Sequence, residues 1–276
     1  MRHRFRWAVT LTAVAGLIGV PAAASAVPAE RDDRTSTVGY DVSHPQCGTE
    51  LPADAAFAVV GVNGGLATRT NPCLAAQLEW AAGSSGDVSG QPPLQLYLNT
   101  ANPGQVRGLV TTWPSAGDTP YGGCDGTNSM ACSWQYGWER ARASVQSFFR
   151  PAARAVQLDS RPQHYTWWLD VETMNTWQSG SDDALARNRA TLEGMTDYLT
   201  DRDGRVGLYS TGYQWGRIVG EVPGGSDLAD LDSWLAGATD RADARQACDD
   251  DPLVAGGSVA MVQYVEDDLD HNHACR

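Results

Sequence analysis

Short apolar segments of period two, alternating with longer segments of helical period, constrain this chain more than any other feature. Strands are expected at residues 37–43, 57–63, 94–99, 167–173 and 205–210, and helices at 72–82, 134–156 and 182–200. Two closing strands, near 233–238 and 259–265, leave little room for a helix between them. Strands that alternate with helices imply βα units and a parallel sheet. The expected fold class is therefore α/β, a TIM-like (β/α) barrel that is irregular and helix-poor in its second half. The stretch from 100 to 133, rich in Gly, Pro and Thr, exceeds an ordinary connection, and loops that long are usually functional.

In a parallel barrel the C-terminal strand ends form one mouth. Asp41, Asn63, Asn99, Asp170, Glu172, Tyr209 and Gln263 all stand where a strand gives way to a loop. Any one of them serves loop backbone as readily as it serves a site; their convergence favours a pocket. Tyr97, Trp113, Tyr121, Trp177, Tyr213 and Trp215 lie in or beside the rim loops, where flat faces suit sugar rings, although core packing is the commoner use of each alone.

The run Trp167-Trp168-Leu169-Asp170-Val171-Glu172-Thr173 carries the sharpest chemistry. Alternation places Trp168, Asp170 and Glu172 on one face and Trp167, Leu169 and Val171 on the other. Two carboxylates about 6.6 Å apart along a strand rising roughly 3.3 Å per residue are close enough for burial and repulsion to separate their pKa values. Cleavage of a glycosidic bond asks for such a pair, an acid for the leaving oxygen and an anion for the positive charge at the sugar. An isolated Asp-x-Glu is more often a helix cap or an arginine partner, so the pair gains its meaning from its place in the barrel.

Residues 1–26 read as a secretory signal: Arg2, Arg4 and Arg6 precede an apolar core from Trp7 to Val20 and the small-residue site Ala24-Ser25-Ala26. Residues 27–36 read as a flexible leader and 37–276 as one barrel domain, about 250 residues being enough for a single full core. No later segment approaches the length of a membrane span. All six cysteines, Cys47, Cys73, Cys124, Cys132, Cys248 and Cys275, fall in the exported part, so disulfides are expected. About 15 pairings are possible, and the short loops favour Cys47 with Cys73, Cys124 with Cys132 and Cys248 with Cys275.

All 20 basic residues are Arg and none is Lys, which excludes Schiff-base and phosphate-loop lysines. Loss of the three signal arginines would move the formal charge from −13 to −16, so nucleic acid is not an expected partner. The group Asp270-His271-Asn272-His273 has metal-ligand types but sits beside Cys275 at the C-terminus, and neither a metal nor any other cofactor is expected. A monomer is expected.

Four places together resemble the family 25 glycoside hydrolases, lysozymes that cleave between N-acetylmuramic acid and N-acetylglucosamine in peptidoglycan. They are Gly39-Tyr40-Asp41-Val42-Ser43-His44-Pro45-Gln46, Leu169-Asp170-Val171-Glu172, Leu208-Tyr209-Ser210-Thr211-Gly212 with Trp215, and Val262-Gln263-Tyr264 with Leu269-Asp270-His271-Asn272. The resemblance spans nearly the whole exported chain and implies an irregular barrel of five βα units with a helix-poor closing part. It also implies Glu172 as proton donor, Asp170 as the residue that steers or stabilises the intermediate, and Asp41 and Asp270 in the same catalytic pocket. Substrate contacts are expected from Asn63, Tyr97, Asn99, Tyr209, Tyr213, Trp215 and Gln263. The third strand departs from the family's Tyr-His-Phe-like ending, reading Tyr97-Leu98-Asn99, and a cysteine-bearing insertion follows. Those departures imply a divergent branch, and the resemblance together with the signal-like start implies a secreted bacterial one. The expected function is cleavage, with retention, of β-1,4 bonds in peptidoglycan or a related N-acetylated glycan. The alternative is a barrel that binds wall glycan without cutting it. A serine or cysteine hydrolase fits poorly, because no Gly-x-Ser-x-Gly elbow occurs and the cysteines read as paired.

Overall fold

A computed structural model describes residues 37–275; the expected signal at 1–26 and leader at 27–36 lie outside them. Eight strands close a barrel: β1 (Val38–Val42), β2 (Phe57–Gly61), β3 (Leu94–Asn99), β4 (Thr166–Asp170), β5 (Arg205–Ser210), β6 (Asp232–Ala238), β7 (Val259–Glu266) and β8 (Leu269–Ala274). Strands β1 to β7 pair in parallel in chain order, and β8 slots antiparallel between β7 and β1. Residues 269–274 are not among the strands expected from the sequence. They form a strand because only two residues, Asp267 and Asp268, separate them from β7, and both take positive φ (51° and 60°). That mirror-image turn matches the twist of a two-residue hairpin.

Period-two alternation sorts the strand residues as expected. Leu94, Leu96, Leu98, Trp167, Leu169 and Leu208 face outward into a core shared with helix residues such as Leu78, Leu192 and Met195. Phe57, Val59, Trp168, Trp234 and Met261 fill the barrel. One interior row in register runs Gly61, Tyr97, Trp168, Gly207. A Cβ at Gly61 would lie 2.5 Å from the Tyr97 ring, and one at Gly207 would lie 2.2 Å from the Trp168 ring. The flanking glycines therefore make room for two large rings side by side.

The helices are α1 (Leu74–Ala81), α2 (Met130–Ala143), α3 (Arg150–Ala155), α4 (Asp182–Thr200), α5 (Gly212–Ile218) and α6 (Arg241–Gln246). A π-helical stretch, Ser144–Phe149, joins α2 to α3, and Pro151, which has no N–H to donate, falls just after it. The expected helix at 134–156 begins earlier, because the Ser129 hydroxyl caps it by accepting from the Cys132 N–H at 3.2 Å. Ser181 caps α4 and Asp182 and Asp183 fill its first turn, favourable charges at a helix N-terminus. Helix α6 occupies the connection judged too short for one; it has six residues, with the Asp240 carboxylate accepting from the N–H groups of Ala242 and Asp243. No helix among the described residues is long and apolar enough to cross a membrane.

The three nearest-neighbour disulfides are present: Cys47–Cys73, Cys124–Cys132 and Cys248–Cys275. The first ties the turn after β1 to α1. The second ties a small ribbon in the long insertion, Gly117–Thr119 with Gly122–Cys124, to the start of α2. The third fastens the tail beyond β8 to the turn after α6.

Candidate active site

Strand register brings seven of the eight residues to the mouth, and the loop after β4 brings Glu172. Asp41 is opposite Asp270 across the β1–β8 pair, Asp170 is level with Tyr209, and Tyr209 is level with Trp234. Because β8 runs antiparallel, its first residues lie at the same end as the last residues of the parallel strands. Together Asp41, Tyr97, Asp170, Glu172, Tyr209, Trp234, Gln263 and Asp270 line a cleft of about 260 Å³. No basic side chain is among these lining residues.

Asp41 is buried, with the Gln263 amide donating to both carboxylate oxygens at 3.1 Å and the Asn272 amide donating to one at 2.7 Å. Burial, reinforced by Asp270, still pushes its pKa up to about 7. Asp170 is buried too, and its Oδ1 has no hydrogen-bond partner. Burial first, then the charges of Glu172 and Asp41, hold its pKa well above the usual carboxylate range. Glu172 stands two residues beyond the end of β4, in a loop rather than on the expected longer strand, and it still reaches the cleft. Its pKa is raised by burial and by Asp270, and burial raises that of Asp270 while His271 opposes the rise. Four carboxyls in so small a cleft cannot all be ionised, and they share protons as a group.

Aromatic rings complete the walls. The Tyr209 and Trp234 ring centroids are 4.3 Å apart, Tyr97 meets Trp234 at 6.3 Å, and the Tyr209 hydroxyl donates to Gln263 Oε1 at 2.7 Å. Trp234 was not singled out from the sequence. The signal was there, since alternation within 233–238 puts a large ring on one face of a strand expected to reach the barrel.

The other expected contact residues lie outside the cleft lining. The Asn63 amide donates to the Ser144 hydroxyl at 2.8 Å and its Oδ1 accepts from the Asn99 N–H at 2.7 Å, while the Asn99 side chain donates to the Gly65 carbonyl at 2.7 Å. Both asparagines thus clasp loops, the use that polar residues at strand ends commonly have. Trp215 is 5% exposed and packs between barrel and helices, where α5 needs an apolar anchor. Tyr213 is 72% exposed on the first turn of α5. Of the remaining rim aromatics, Trp113 stacks on Tyr136, the Tyr121 hydroxyl donates to Glu193, and the Trp177 indole N–H donates to the Glu172 carbonyl at 3.0 Å. Alternation along β8 also explains why Asp270-His271-Asn272-His273 does not converge on one ion. Asp270 and Asn272 serve the interior, whereas His271 lies between the rings of Tyr40 and Tyr264 at 4.8 and 5.2 Å.

No family model matches the chain, and no curated protein does. Solved structures do. A muramidase from Trichobolus zukalii aligns with a TM-score of 0.51 at 15% identity, over 87% of this chain and 93% of that one. A family GH25 lysozyme from Aspergillus fumigatus aligns with a TM-score of 0.52 at 13% identity, over 86% and 92%. The fold of this chain is therefore that of the family 25 lysozymes, an irregular (β/α) barrel closed by an antiparallel hairpin.

Proposed function

We propose that the protein is an exported glycoside hydrolase that cleaves β-1,4 bonds of peptidoglycan or a related N-acetylated glycan with retention. The observation that carries this reading is a cleft with four carboxyls and no basic side chain among its lining residues, in which Asp170 keeps an unpartnered buried oxygen. A carboxylate desolvated without a partner is costly, and a positive charge arising beside it relieves that cost. The bond to the leaving oxygen breaks as the substrate's own acetamido oxygen attacks the anomeric carbon, and Glu172 delivers its proton to the leaving oxygen. Asp170 accepts a hydrogen bond from the acetamido N–H. Asp170 acts in its anionic form, the proton shared within the cleft resting on other carboxyls of the group, and its charge stabilises the positive charge growing on the sugar. Water then attacks the anomeric carbon and gives its proton to Glu172, which restores the site and retains configuration.

Export rests on the signal-like start of the sequence and is supported by the three disulfides, which persist in oxidising compartments. The test is hydrolysis of purified peptidoglycan, followed by the release of reducing ends, beside pull-down on the same material. Glu172→Gln should abolish hydrolysis and retain binding. A wild type that binds saturably without releasing reducing ends, with binding unchanged in Glu172→Gln, would replace the hydrolase by a glycan-binding barrel.

A further inference from the structure

Beyond the acidic cleft, the segments that follow β4 and β5 each expose one large side chain to solvent. Met174, 92% exposed, follows Thr173 in the turn after Glu172, and Tyr213, 72% exposed, precedes Gln214 on α5. These turns are fastened to each other. Gln214 Oε1 accepts from both the N–H and the hydroxyl of Thr173, at 2.5 and 2.9 Å. The Val171 N–H donates to the Tyr209 carbonyl at 2.9 Å, and the Ser210 hydroxyl donates to the Val171 carbonyl at 2.7 Å. Gln214 is itself set by the helix cap, its N–H donating to the Thr211 hydroxyl at 3.1 Å. On the other side, the Trp177 indole pins the Glu172 carbonyl. A thioether and a phenol ring are thus held on fixed backbone either side of one latch, where burial would be the usual fate of both.

We propose that Met174 and Tyr213 form the subsite for the sugar ring of the leaving group, with the Gln214–Thr173 latch as its frame. This rests on the hydrolase reading of the cleft. A general acid must stand beside the leaving oxygen, so the leaving sugar lies beside Glu172, which Met174 follows by two residues and which the Thr173–Gln214 bonds join to the helix that carries Tyr213. The apolar C–H face of a pyranose packs against an aromatic face and against a flexible polarisable thioether. The ligand class is the ring of an uncharged N-acetylated hexosamine. No charged side chain belongs to this pair, so recognition is by ring face.

The experiment measures binding of N-acetylated oligosaccharides of two to six sugars to Glu172→Gln, with Tyr213 and Met174 intact, replaced singly or together by Ser, or with Tyr213→Phe. In the parent, affinity should rise when the chain becomes long enough to occupy the leaving-group side. The double replacement should cut that increment by roughly tenfold and each single one by about threefold, while Tyr213→Phe keeps it, because stacking needs the ring and not the hydroxyl. In the otherwise wild-type enzyme the same replacements should raise KM by similar factors. An increment unchanged by the double replacement, in a protein whose wild type cleaves peptidoglycan, overturns the subsite and leaves the hydrolase standing. Absence of both cleavage by the wild type and binding by Glu172→Gln overturns both.

Discussion

Asp170 and Glu172 differ in what the chain does for them. Asp170 is the last residue of β4, buried, with an oxygen that nothing in the protein satisfies. Glu172 sits in a loop, less buried and held through its backbone. An oxygen left bare inside a protein is a cost that function explains better than folding does. Asp170→Asn should therefore stabilise the folded protein at pH 8, where the wild-type carboxyl must either ionise while buried or hold a proton against the solvent. The melting temperature at pH 8 should rise by several degrees while peptidoglycan turnover falls at least tenfold; a lower melting temperature at that pH would mean the carboxylate has a partner in solution. Glu172→Gln should raise the melting temperature at pH 8 by less than Asp170→Asn does, because Glu172 is less buried, and should reduce turnover on the order of a hundredfold or more, since it removes the transferable proton.

At the scale of elements, what was legible in the sequence follows from period and from local chemistry. Leu94, Leu96 and Leu98 alternate cleanly, and their strand has the expected bounds. Asp41, Asp170 and Glu172 were legible because strand ends and the βα alternation fix one mouth, whereas Asp270 came only from the family resemblance. The closing strand β8 was not, because its residues, Leu269 to Ala274, carry no run of apolar side chains; its strand character comes from pairing on both sides and from the Asp267–Asp268 turn. That Asn63, Asn99 and Trp215 stand outside the cleft lining was not legible for a related reason, since a polar or aromatic residue at a strand end looks the same whether it clasps a loop, anchors a helix or meets a ligand. Strand β8 supplies Asp270 to the cleft and Asn272 to Asp41, and the Cys248–Cys275 bond, spanning 27 positions, fastens its end. Replacing both cysteines by Ser should lower unfolding free energy by about 3.5 kcal/mol, the loop-closure value for a span of this size. Chemical denaturation reads that loss. Turnover of the still-folded variant below its melting temperature should persist, because the hairpin's own pairing keeps Asp270 in place.

For the whole molecule, the acidic cleft sets the direction in which stability depends on pH. Burial pushes the pKa of Asp41 up to about 7, far above the ordinary carboxylate range, so folding favours its neutral form. A carboxyl whose folded pKa is raised contributes stability that is fully present below the unfolded pKa and is lost as pH climbs through the folded value. Asp170, Glu172 and Asp270 are raised as well, all principally by burial, and so act with the same sign. Asp159, lowered by its hydrogen bonds and ion pair with Arg161, has the opposite sign, but it is exposed and screened by solvent. For Asp41 alone the linkage is on the order of a few kcal/mol, a sizeable part of the roughly 5–15 kcal/mol that holds a typical domain. Repulsion within a chain of formal charge −13 adds to the loss at high pH. The melting temperature should therefore be highest in mildly acidic buffer and fall between about pH 4 and pH 8, the slope becoming shallower in Asp170→Asn. Activity should show a bell-shaped profile with an acidic optimum, because the carboxyl group must hold both a proton for Glu172 to give and a charge for the sugar. Thermal melts in buffers of matched ionic strength decide the first point: a melting temperature that rises steadily from pH 4 to pH 8 would mean that these carboxyls are ionised in the folded state, and with it the proton that Glu172 is proposed to deliver would be gone.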